Sequence, residues 1–421
     1  MNDKLLLLQP PFFRFCGSHN DRIAPSLSYL SSILESRQID HEVFNADTTN
    51  SNRYWSMSYL FNNFSYFKDA VDNKSPLYDE VVEYIMGTGI KNVLILGADP
   101  LVPTTDMGSP FIGANFSKRL RKHGIYTIGL GPYYNLDTER FVADFNCILK
   151  GEPSISIVDI LKNKTTGVVE SKPLALDIIP SYKKITPFQG KDDLVFTSFG
   201  CLYPCEFCIA GKQYRLFGRP VRSIKPEVVV KDILQRKSDR IYIGDLNFSD
   251  SKLENLQALC EAFKEGKINK DLVVEMRTDK ITEKSVALLK ELGVKTVKIG
   301  VESFSRDILK DARKDRHDNL LQTAVSLLNE QNISFIFYLL LGGQESEHFN
   351  LEDFKENIQR FKPLSTITSI WSYDLSRDYR YDTHFSPIAL KRWGISEDVF
   401  HEMIRSQNEM NVTVGKVISD H

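Results

Sequence analysis

The sequence contains no apolar run long enough to cross a bilayer. Its longest run, at about residues 335–341, is far shorter than the ~20 residues that a membrane-spanning helix needs. The apolar run at the N-terminus ends at Pro10 and Pro11, too early for the hydrophobic part of a secretion signal. These absences predict a cytoplasmic protein without a membrane partner.

An excess of charge of one sign is also missing. The 53 Lys and Arg residues nearly balance 55 Asp and Glu residues, giving a formal net charge of -2, so the composition does not favour a nucleic-acid partner. Low-complexity segments are absent as well, and 42% of the residues are hydrophobic. A chain of 421 residues with this composition predicts a globular protein of about two or three domains.

Two blocks of the chain alternate apolar strands with amphipathic helices, a pattern typical of α/β folds with parallel sheets. The first block, residues 1–150, contains five predicted strands, with long loops after the strands at 9–25, 97–110 and 131–137. Ligands of open α/β sheets bind outside the carboxyl ends of the strands. We therefore expect these loops to line a binding site.

The second block, residues 194–377, contains six predicted strands, which are too few for a complete eight-unit barrel and favour an open, partial barrel. Between the blocks, residues 151–193 contain Pro173, Pro180 and Pro187 in polar surroundings and are predicted to be a linker. Residues 378–421 form a predicted C-terminal cap with a helix near 397–409.

Three of the six cysteines, Cys201, Cys205 and Cys208, fall within eight residues, directly after the predicted strand 194–199. In a large cytosolic chain such a group indicates metal binding or catalysis rather than disulfides. Structural zinc sites normally have four protein ligands, whereas iron–sulfur clusters are also held by thiolates and can leave one iron open. A zinc knuckle and a chance group of core cysteines are the alternatives.

This CxxxCxxC motif, with Phe207 before its last cysteine, resembles that of the radical S-adenosylmethionine (SAM) enzymes. The resemblance extends over about residues 194–373. It implies that Cys201, Cys205 and Cys208 hold a [4Fe–4S] cluster whose fourth iron binds SAM. It also implies reductive cleavage of SAM to a 5′-deoxyadenosyl radical, with a flavodoxin- or ferredoxin-type protein as the reductant.

Other positions resemble motifs of the same family. Residues 244–248 are similar to its DDxF-type strand end, residues 300–303 to its GxES signature, and residues 341–345 to its GlPgEt turn, with Gly343 in place of the proline. Taken alone, each is explained equally well by a strand-end turn or an ion pair. The resemblance implies that the following residues bind the cofactors: Phe207, Gly244, Asp245, Arg277, Glu302 and Gly342.

The first block resembles the Rossmann-like cobalamin-binding domain that precedes the radical domain in one large class of these enzymes. Residues 8–11, 24–30, 129–132 and 150–153 carry this resemblance, which implies cobalamin as a third cofactor. The DxHxxG motif that would supply a histidine to cobalt is absent, and Tyr133 and Tyr134 stand where smaller residues are common. The alternative that this domain binds the substrate instead of cobalamin therefore stays open.

The leading hypothesis is a methyltransferase that transfers a methyl group to an unactivated carbon of a small molecule or peptide. The alternatives are a cobalamin-free radical dehydration, epimerisation or cyclisation, and a sensor that binds a cluster without turnover. The segment 212–225 contains Lys212, Arg215, Arg219, Arg222 and Lys225 but no acidic residue. It is predicted to be either a solvated loop or a clamp for a substrate carboxylate or phosphate.

Overall fold

The computed structural model describes residues 4–20, 22–49, 57–103, 108–186, 194–218, 221–248, 253–314, 319–342, 350–371, 377–410 and 412–414. No helix in these ranges has the length and apolarity to cross a membrane. The chain divides into two compact units. The first consists of Met1–Trp55, Ser65–Asp192 and Lys212–Arg219, and the second of Ser56–Phe64, Asp193–Gly211 and Pro220–His421.

The first unit contains a sheet of seven strands: β1 (Leu5–Gln9), β2 (His41–Asn45), β3 (Asn92–Leu96), β4 (Tyr126–Leu130), β5 (Cys147–Lys150), β6 (Gly167–Glu170) and β7 (Ile185–Thr186). Every pairing is parallel, in the order β6-β5-β4-β3-β1-β2-β7. Residues 5–8, four consecutive leucines of β1, are fully buried, as expected for a central strand covered on both faces.

The N-terminal half of the chain also contains eight α-helices within the described ranges: α1 (Pro25–Ser36), α2 (Met57–Asn62), α3 (Phe64–Val71), α4 (Leu77–Gly87), α5 (Pro110–Arg121), α6 (Pro132–Leu136), α7 (Thr138–Phe141) and α8 (Ser156–Asn163). Helix α2 belongs to the second unit, where Phe61 stacks on Phe400 with ring centroids 4.3 Å apart. The segment between β2 and β3 therefore contributes to both units.

The five central strands have the order 2-1-3-4-5 of a doubly wound sheet, and the five strands predicted in the first block are all present. Ligands of such sheets bind at the switch point between β1 and β3, where the order reverses. Residues 151–193, predicted as a linker, contribute α8, β6 and β7 to this unit. The sequence gives no sign of β6 because this edge strand alternates half-buried and exposed residues instead of being continuously apolar.

The second half of the chain contains nine strands: β8 (Leu194–Val195), β9 (Ser198–Phe199), β10 (Arg222–Ser223), β11 (Arg240–Ile243), β12 (Asp271–Arg277), β13 (Val294–Glu302), β14 (Ser334–Leu341), β15 (Ser365–Ile370) and β16 (Thr413–Val414). Seven of them form a parallel sheet in the order β16-β15-β14-β13-β12-β11-β8, while β9 and β10 form an antiparallel pair. The six predicted βα units are therefore present.

Helices separate most of these strands: α9 (Ile209–Leu216), α10 (Pro226–Leu234), α11 (Leu253–Glu265), α12 (Glu283–Glu291), α13 (Arg306–Asp311), α14 (Asn319–Glu330), α15 (Leu351–Phe361), α16 (Pro387–Arg392) and α17 (Glu397–Glu409). The fold has the expected α/β class. The basic segment, predicted as a solvated loop or clamp, instead begins inside α9, whose residues Ile209, Ala210 and Tyr214 are buried at helical spacing. Arg219 lies outside the described residues.

Alternation along β12 separates two faces of the second sheet. Leu272, Val274 and Met276 are buried and apolar, whereas Glu275 and Arg277 lie on the opposite face and are partly exposed. The same alternation holds on β13, where Val297 and Ile299 are fully buried. Parallel barrels pack their helices on the apolar outer face, so Glu275 and Arg277 belong to the inner face.

Buried carboxylates fix the loops at the switch point of the first unit. Asp99, after β3, accepts hydrogen bonds from the Ser26 backbone N–H (2.8 Å), the Ser26 hydroxyl (2.5 Å) and the Leu101 backbone N–H (2.8 Å). Asp47, after β2, accepts hydrogen bonds from the backbone N–H groups of Phe12 and Arg14 at 2.8 and 2.9 Å. The loops after β1 and β3 are thus held in place before any ligand binds.

Asp99→Asn should destabilise the protein by about 2 kcal/mol, because an amide NH₂ group would face donors that now bind a carboxylate. Urea denaturation of the full-length variant measures this loss. Asp40→Asn is the matched control, since Asp40 is exposed and lies 3.6 Å from Lys4, a pair worth less than about 1 kcal/mol. Equal stability of the two variants would contradict this role of Asp99.

Candidate functional site

The three clustered cysteines lie on the turn between β9 and α9, at the carboxyl end of the first strands of the second unit. Cys205 is buried, and Cys201 and Cys208 are partly exposed. Cys208 immediately precedes α9; burial raises the pKa of its thiol, and hydrogen bonds from the backbone N–H groups of Gly211 and Ala210 act against that rise. A helix N-terminus favours a thiolate, the form of cysteine that binds metals.

The turn that follows α13 anchors this cysteine loop. The backbone N–H of Glu206 donates to the Ala312 carbonyl at 3.2 Å, and the Glu206 carboxylate lies 2.9 Å from the Arg313 guanidinium. Phe207 packs against a cluster formed by Ala312, Leu340 and Trp371. Phe207 thus supports the loop by packing, which accounts for an aromatic residue before the last cysteine.

Two cations act against the effect of burial on the pKa of these thiols. Burial raises the pKa of Cys205, and the charges of Lys314 and Arg277 act in the opposite direction. Arg277 lies at the end of β12, with Nη1 3.8 Å from the Cys205 Sγ and its guanidinium carbon 3.8 Å from the centre of the Tyr203 ring. The predicted cofactor residue Arg277 is therefore next to the cysteine loop.

Glu302 ends β13 in a strained conformation. Its φ is +63°, unusual for a residue with a side chain, and the Ser303 N–H donates to the Val301 carbonyl at 2.8 Å, closing a three-residue turn around Glu302. The pairing with β14 shifts register between Gly300 and Glu302. Bulges and strained residues of this kind cluster at functional sites.

The Glu302 carboxylate forms a buried ion pair with Lys314, with Nζ and Oε1 2.5 Å apart. A Cβ atom at Gly300 would collide with the Lys314 Nζ and lie 2.9 Å from the Glu302 Oε1, so a side chain there would displace this pair. Burial raises the pKa of Cys205 and of Cys208, and the charge of Lys314 acts against that rise at both thiols. One ion pair therefore joins the GxES turn to the cysteine loop.

Asp245, at the end of β11, holds a break in the first strand. Its carboxylate accepts hydrogen bonds from the backbone N–H groups of Thr197 and Ser198, at 2.7 and 3.1 Å, and from their hydroxyls, at 2.5 and 2.7 Å. Burial raises the pKa of Asp245 to about 6, against the opposing effect of these bonds. The predicted single strand 194–199 is consequently two strands, β8 and β9.

Gly244 and Gly342 each permit a close contact. A Cβ atom at Gly244 would lie 2.8 Å from the Phe196 ring, and one at Gly342, where φ is +112°, would lie 2.6 Å from Trp393. Only glycine adopts the Gly342 conformation readily. The rest of the predicted turn, residues 343–345, lies outside the described residues.

The donor set fits an iron–sulfur cluster in its chemistry: three thiols on one loop, with nearby cations and N–H groups that favour thiolates. Within the described ranges, no group of three or more His, Cys, Asp or Glu side chains converges on a metal position.

Sequence reasoning missed Lys314 and the role of Asn247. Lys314 is only 9% exposed, but a buried lysine has no sequence signature that separates it from the many exposed ones. The Asn247 Oδ1 accepts a hydrogen bond from the Arg277 backbone N–H at 3.2 Å and so links the ends of β11 and β12. Its position in the strand-end motif, two residues after Asp245, was the available signal.

Comparison with known families identifies the class of the second unit. Residues 195–354 match the family model of the Radical SAM superfamily, so this part of the chain is a radical SAM domain. The match confirms the resemblance of the cysteine motif. It also confirms the expected cofactors of such a domain, a [4Fe–4S] cluster and SAM.

Particular proteins share the fold of the whole chain. A radical SAM methyltransferase from Kitasatospora setae, TsrM, solved with cobalamin and a [4Fe–4S] cluster, is 15% identical with a TM-score of 0.61, over 88% of this chain and 75% of that one. The cobalamin-dependent radical SAM enzyme OxsB, solved with aqua-cobalamin and SAM, is 15% identical with a TM-score of 0.56, over 97% of this chain and 61% of that one. The expected order of a Rossmann-like domain and a partial barrel is confirmed.

A curated relative is similar in sequence. A protein of Methanocaldococcus jannaschii, named as a candidate methylthiotransferase, is 29% identical over 240 residues, which are 49% of this chain and 51% of that protein. The chain thus spans about half the length of the curated relative that it matches.

Lys314→Met should destabilise the protein by about 3 kcal/mol, because it leaves the Glu302 carboxylate buried without its partner. The double variant Lys314→Met/Glu302→Gln should recover a large part of that loss. Urea denaturation of the cluster-free protein measures both. Lys310→Met is the control, since Lys310 is exposed and lies 3.5 Å from Asp307. A double variant no more stable than Lys314→Met would contradict the coupling.

Proposed function

We propose that this protein is a cobalamin-dependent radical SAM methyltransferase that methylates an unactivated carbon of a metabolite, natural product or peptide. The observation that carries the proposal is the cysteine loop, fixed at the carboxyl end of a parallel barrel and joined through Lys314 to the strained Glu302 turn. The 2-1-3-4-5 sheet of the first unit and the similarity to TsrM and OxsB support the cobalamin-dependent class.

The cluster would be held by the thiolates of Cys201, Cys205 and Cys208. When bound, it supplies the electron that cleaves SAM to methionine and a 5′-deoxyadenosyl radical, with a flavodoxin- or ferredoxin-type protein as the cytoplasmic donor. Arg277 and Lys314 stabilise the thiolate charge at this loop. Among the residues proposed to bind SAM, Glu302 keeps its carboxylate near the loop through its ion pair with Lys314.

Two of the residues proposed at the cofactor site, Asp245 and Gly244, contact neighbouring residues of the protein. Both Asp245 oxygens accept hydrogen bonds from Thr197 and Ser198, and Gly244 makes room for Phe196. They would therefore serve SAM by fixing the strand break from which the cysteine loop starts. Gly342 and Phe207 similarly support the packing around Trp371 and Trp393.

Cobalamin would lie at the switch point of the first sheet, where it supplies the methyl group when bound. Backbone lines this edge: a Cβ atom at Gly108 would lie 2.7 Å from the Gly97 carbonyl, and one at Gly131 would lie 3.2 Å from Ala98. Asp99 and Asp47 fix the neighbouring loops. An edge lined by preorganised backbone fits the close approach of a broad, flat ligand.

A second candidate, the cobalamin-free radical reaction, is favoured by Tyr134. Its ring is fully buried, its hydroxyl donates to the Pro110 carbonyl at 2.8 Å, and it fills the space next to Gly97 and Gly113. In that case the loops after β1, β3 and β4 would bind the substrate.

Cys205→Ala should abolish both the absorption of the reconstituted cluster and the formation of 5′-deoxyadenosine from SAM, because the cluster then lacks a ligand. Cys260→Ala is the matched control, since Cys260 is a buried residue of α11 outside the motif and should leave both signals unchanged. The measurements are anaerobic visible spectroscopy and chromatography of the nucleoside. Undiminished 5′-deoxyadenosine from Cys205→Ala would refute this assignment.

Anaerobic reconstitution with hydroxocobalamin, followed by desalting, should leave one cobalamin per chain beside the cluster absorption. Asp99→Ala should weaken this retention, because it frees the loops of the switch point, whereas Asp40→Ala should not. Visible spectra quantify the bound cobalamin. A fully loaded cluster without retained cobalamin would exclude the methyltransferase and favour the second candidate.

A further inference from the structure

The inner face of the second sheet carries a layer of four polar side chains that no cofactor role explains. They come from four successive strands: Tyr242 on β11, Glu275 on β12, Lys298 on β13 and Tyr338 on β14. Glu275 and Lys298 are register neighbours. Parallel barrels usually fill this space with branched apolar residues, so a polar layer here requires a reason.

The four side chains converge on one oxygen atom. The hydroxyls of Tyr242 and Tyr338 both donate to the Glu275 Oε1. The Lys298 Nζ lies 4.0 Å from the same oxygen and 3.9 Å from the centre of the Tyr242 ring. Within the described part of the chain, no hydrogen bond or ion pair engages the other carboxylate oxygen, Oε2.

Accessibility distinguishes the two charged groups of this layer. The Lys298 side chain is 4% exposed, whereas the Glu275 side chain is 24% exposed. Glu275 is therefore the more accessible of the two charged groups, and Lys298 lies 4.0 Å from its Oε1.

This layer lies just below the cysteine loop. Glu275 precedes Arg277 by two residues on the same face of β12, a rise of about 7 Å. Arg277 in turn reaches the Cys205 thiol, with Nη1 and Sγ 3.8 Å apart. A molecule anchored at Glu275 would therefore extend toward the end of the barrel where the cysteines lie.

We propose that the Glu275 Oε2 anchors the substrate by accepting a hydrogen bond from a neutral donor, a hydroxyl group of a hydroxylated small molecule. Lys298 already balances the Glu275 charge, so a ligand ammonium would gain little attraction and would be repelled by Lys298. A ligand carboxylate would be repelled by Glu275, which is the more accessible of the two charges. A hydroxyl group meets neither repulsion. This inference rests on the proposed function, in which a radical formed at this end of the barrel acts on a bound molecule.

The test uses the reconstituted protein and matched ring probes: myo-inositol and cyclohexanol, cyclohexylammonium, and cyclohexanecarboxylate. Saturation-transfer NMR should detect binding of the hydroxylated probes. Glu275→Gln should weaken it on the order of tenfold, since a hydrogen bond to a charged acceptor is lost. Asp271→Asn makes the same charge change at the exposed start of the same strand and should leave binding unchanged.

Lys298→Met provides a second, gain-of-function readout. It leaves Glu275 without its charge partner, so cyclohexylammonium should become the preferred probe. Stronger binding of the charged probes to the wild type, no binding of the hydroxylated probes, or hydroxyl binding unaffected by Glu275→Gln would overturn the anchor. Formation of 5′-deoxyadenosine, measured on the same samples, reports separately on the radical SAM activity, whose absence would refute the proposed function but not the anchor.

Discussion

The geometry of the second unit depends on the hydrogen bonds between one carboxylate and the first barrel strand. Asp245 binds the N–H and hydroxyl groups of Thr197 and Ser198, so the chain leaves the parallel sheet after Val195 and pairs with β10 instead. That departure sets the direction from which residues 201–208 cross the carboxyl end of the barrel.

The same device recurs in the first unit. Asp47 and Asp99 are buried carboxylates that accept hydrogen bonds from backbone N–H groups. Burial raises the pKa of both, and that of Asp47 reaches about 7. Burying a carboxylate is costly, and donated hydrogen bonds offset that cost only in part. In both units the carboxylates fix loops at the carboxyl ends of parallel strands, which are the loops that bind ligands. Preorganisation there reduces the entropy that a ligand must remove on binding.

The apolar pattern predicted the central strands of both sheets. In the first sheet β1 is continuously apolar because both of its faces are covered, whereas β12 and β13 of the second sheet carry polar residues on the inner face. The helix predicted near 397–409 is α17, and the apolar run at 335–341 lies within β14. The short edge strands β6, β7 and β16 were missed; β6 alternates half-buried and exposed residues and so lacks a continuous apolar run. The division of 194–199 into β8 and β9 depends on Asp245, a residue distant in sequence, and so no local pattern could reveal it.

For the site, the cysteine spacing and strand-end motifs identified the right neighbourhood, but not how its charges are balanced. Lys314 and Lys298 are both nearly buried, and each lies near a carboxylate, Glu302 and Glu275 respectively. Such groups are tolerated because the apolar outer face of the sheet, with Leu272, Val274, Val297 and Ile299 fully buried, supplies the stability. The inner face is thereby free to carry charge. Successive residues of a strand point to opposite faces, so β12 places residues that stabilise the fold on one face and charged residues on the other.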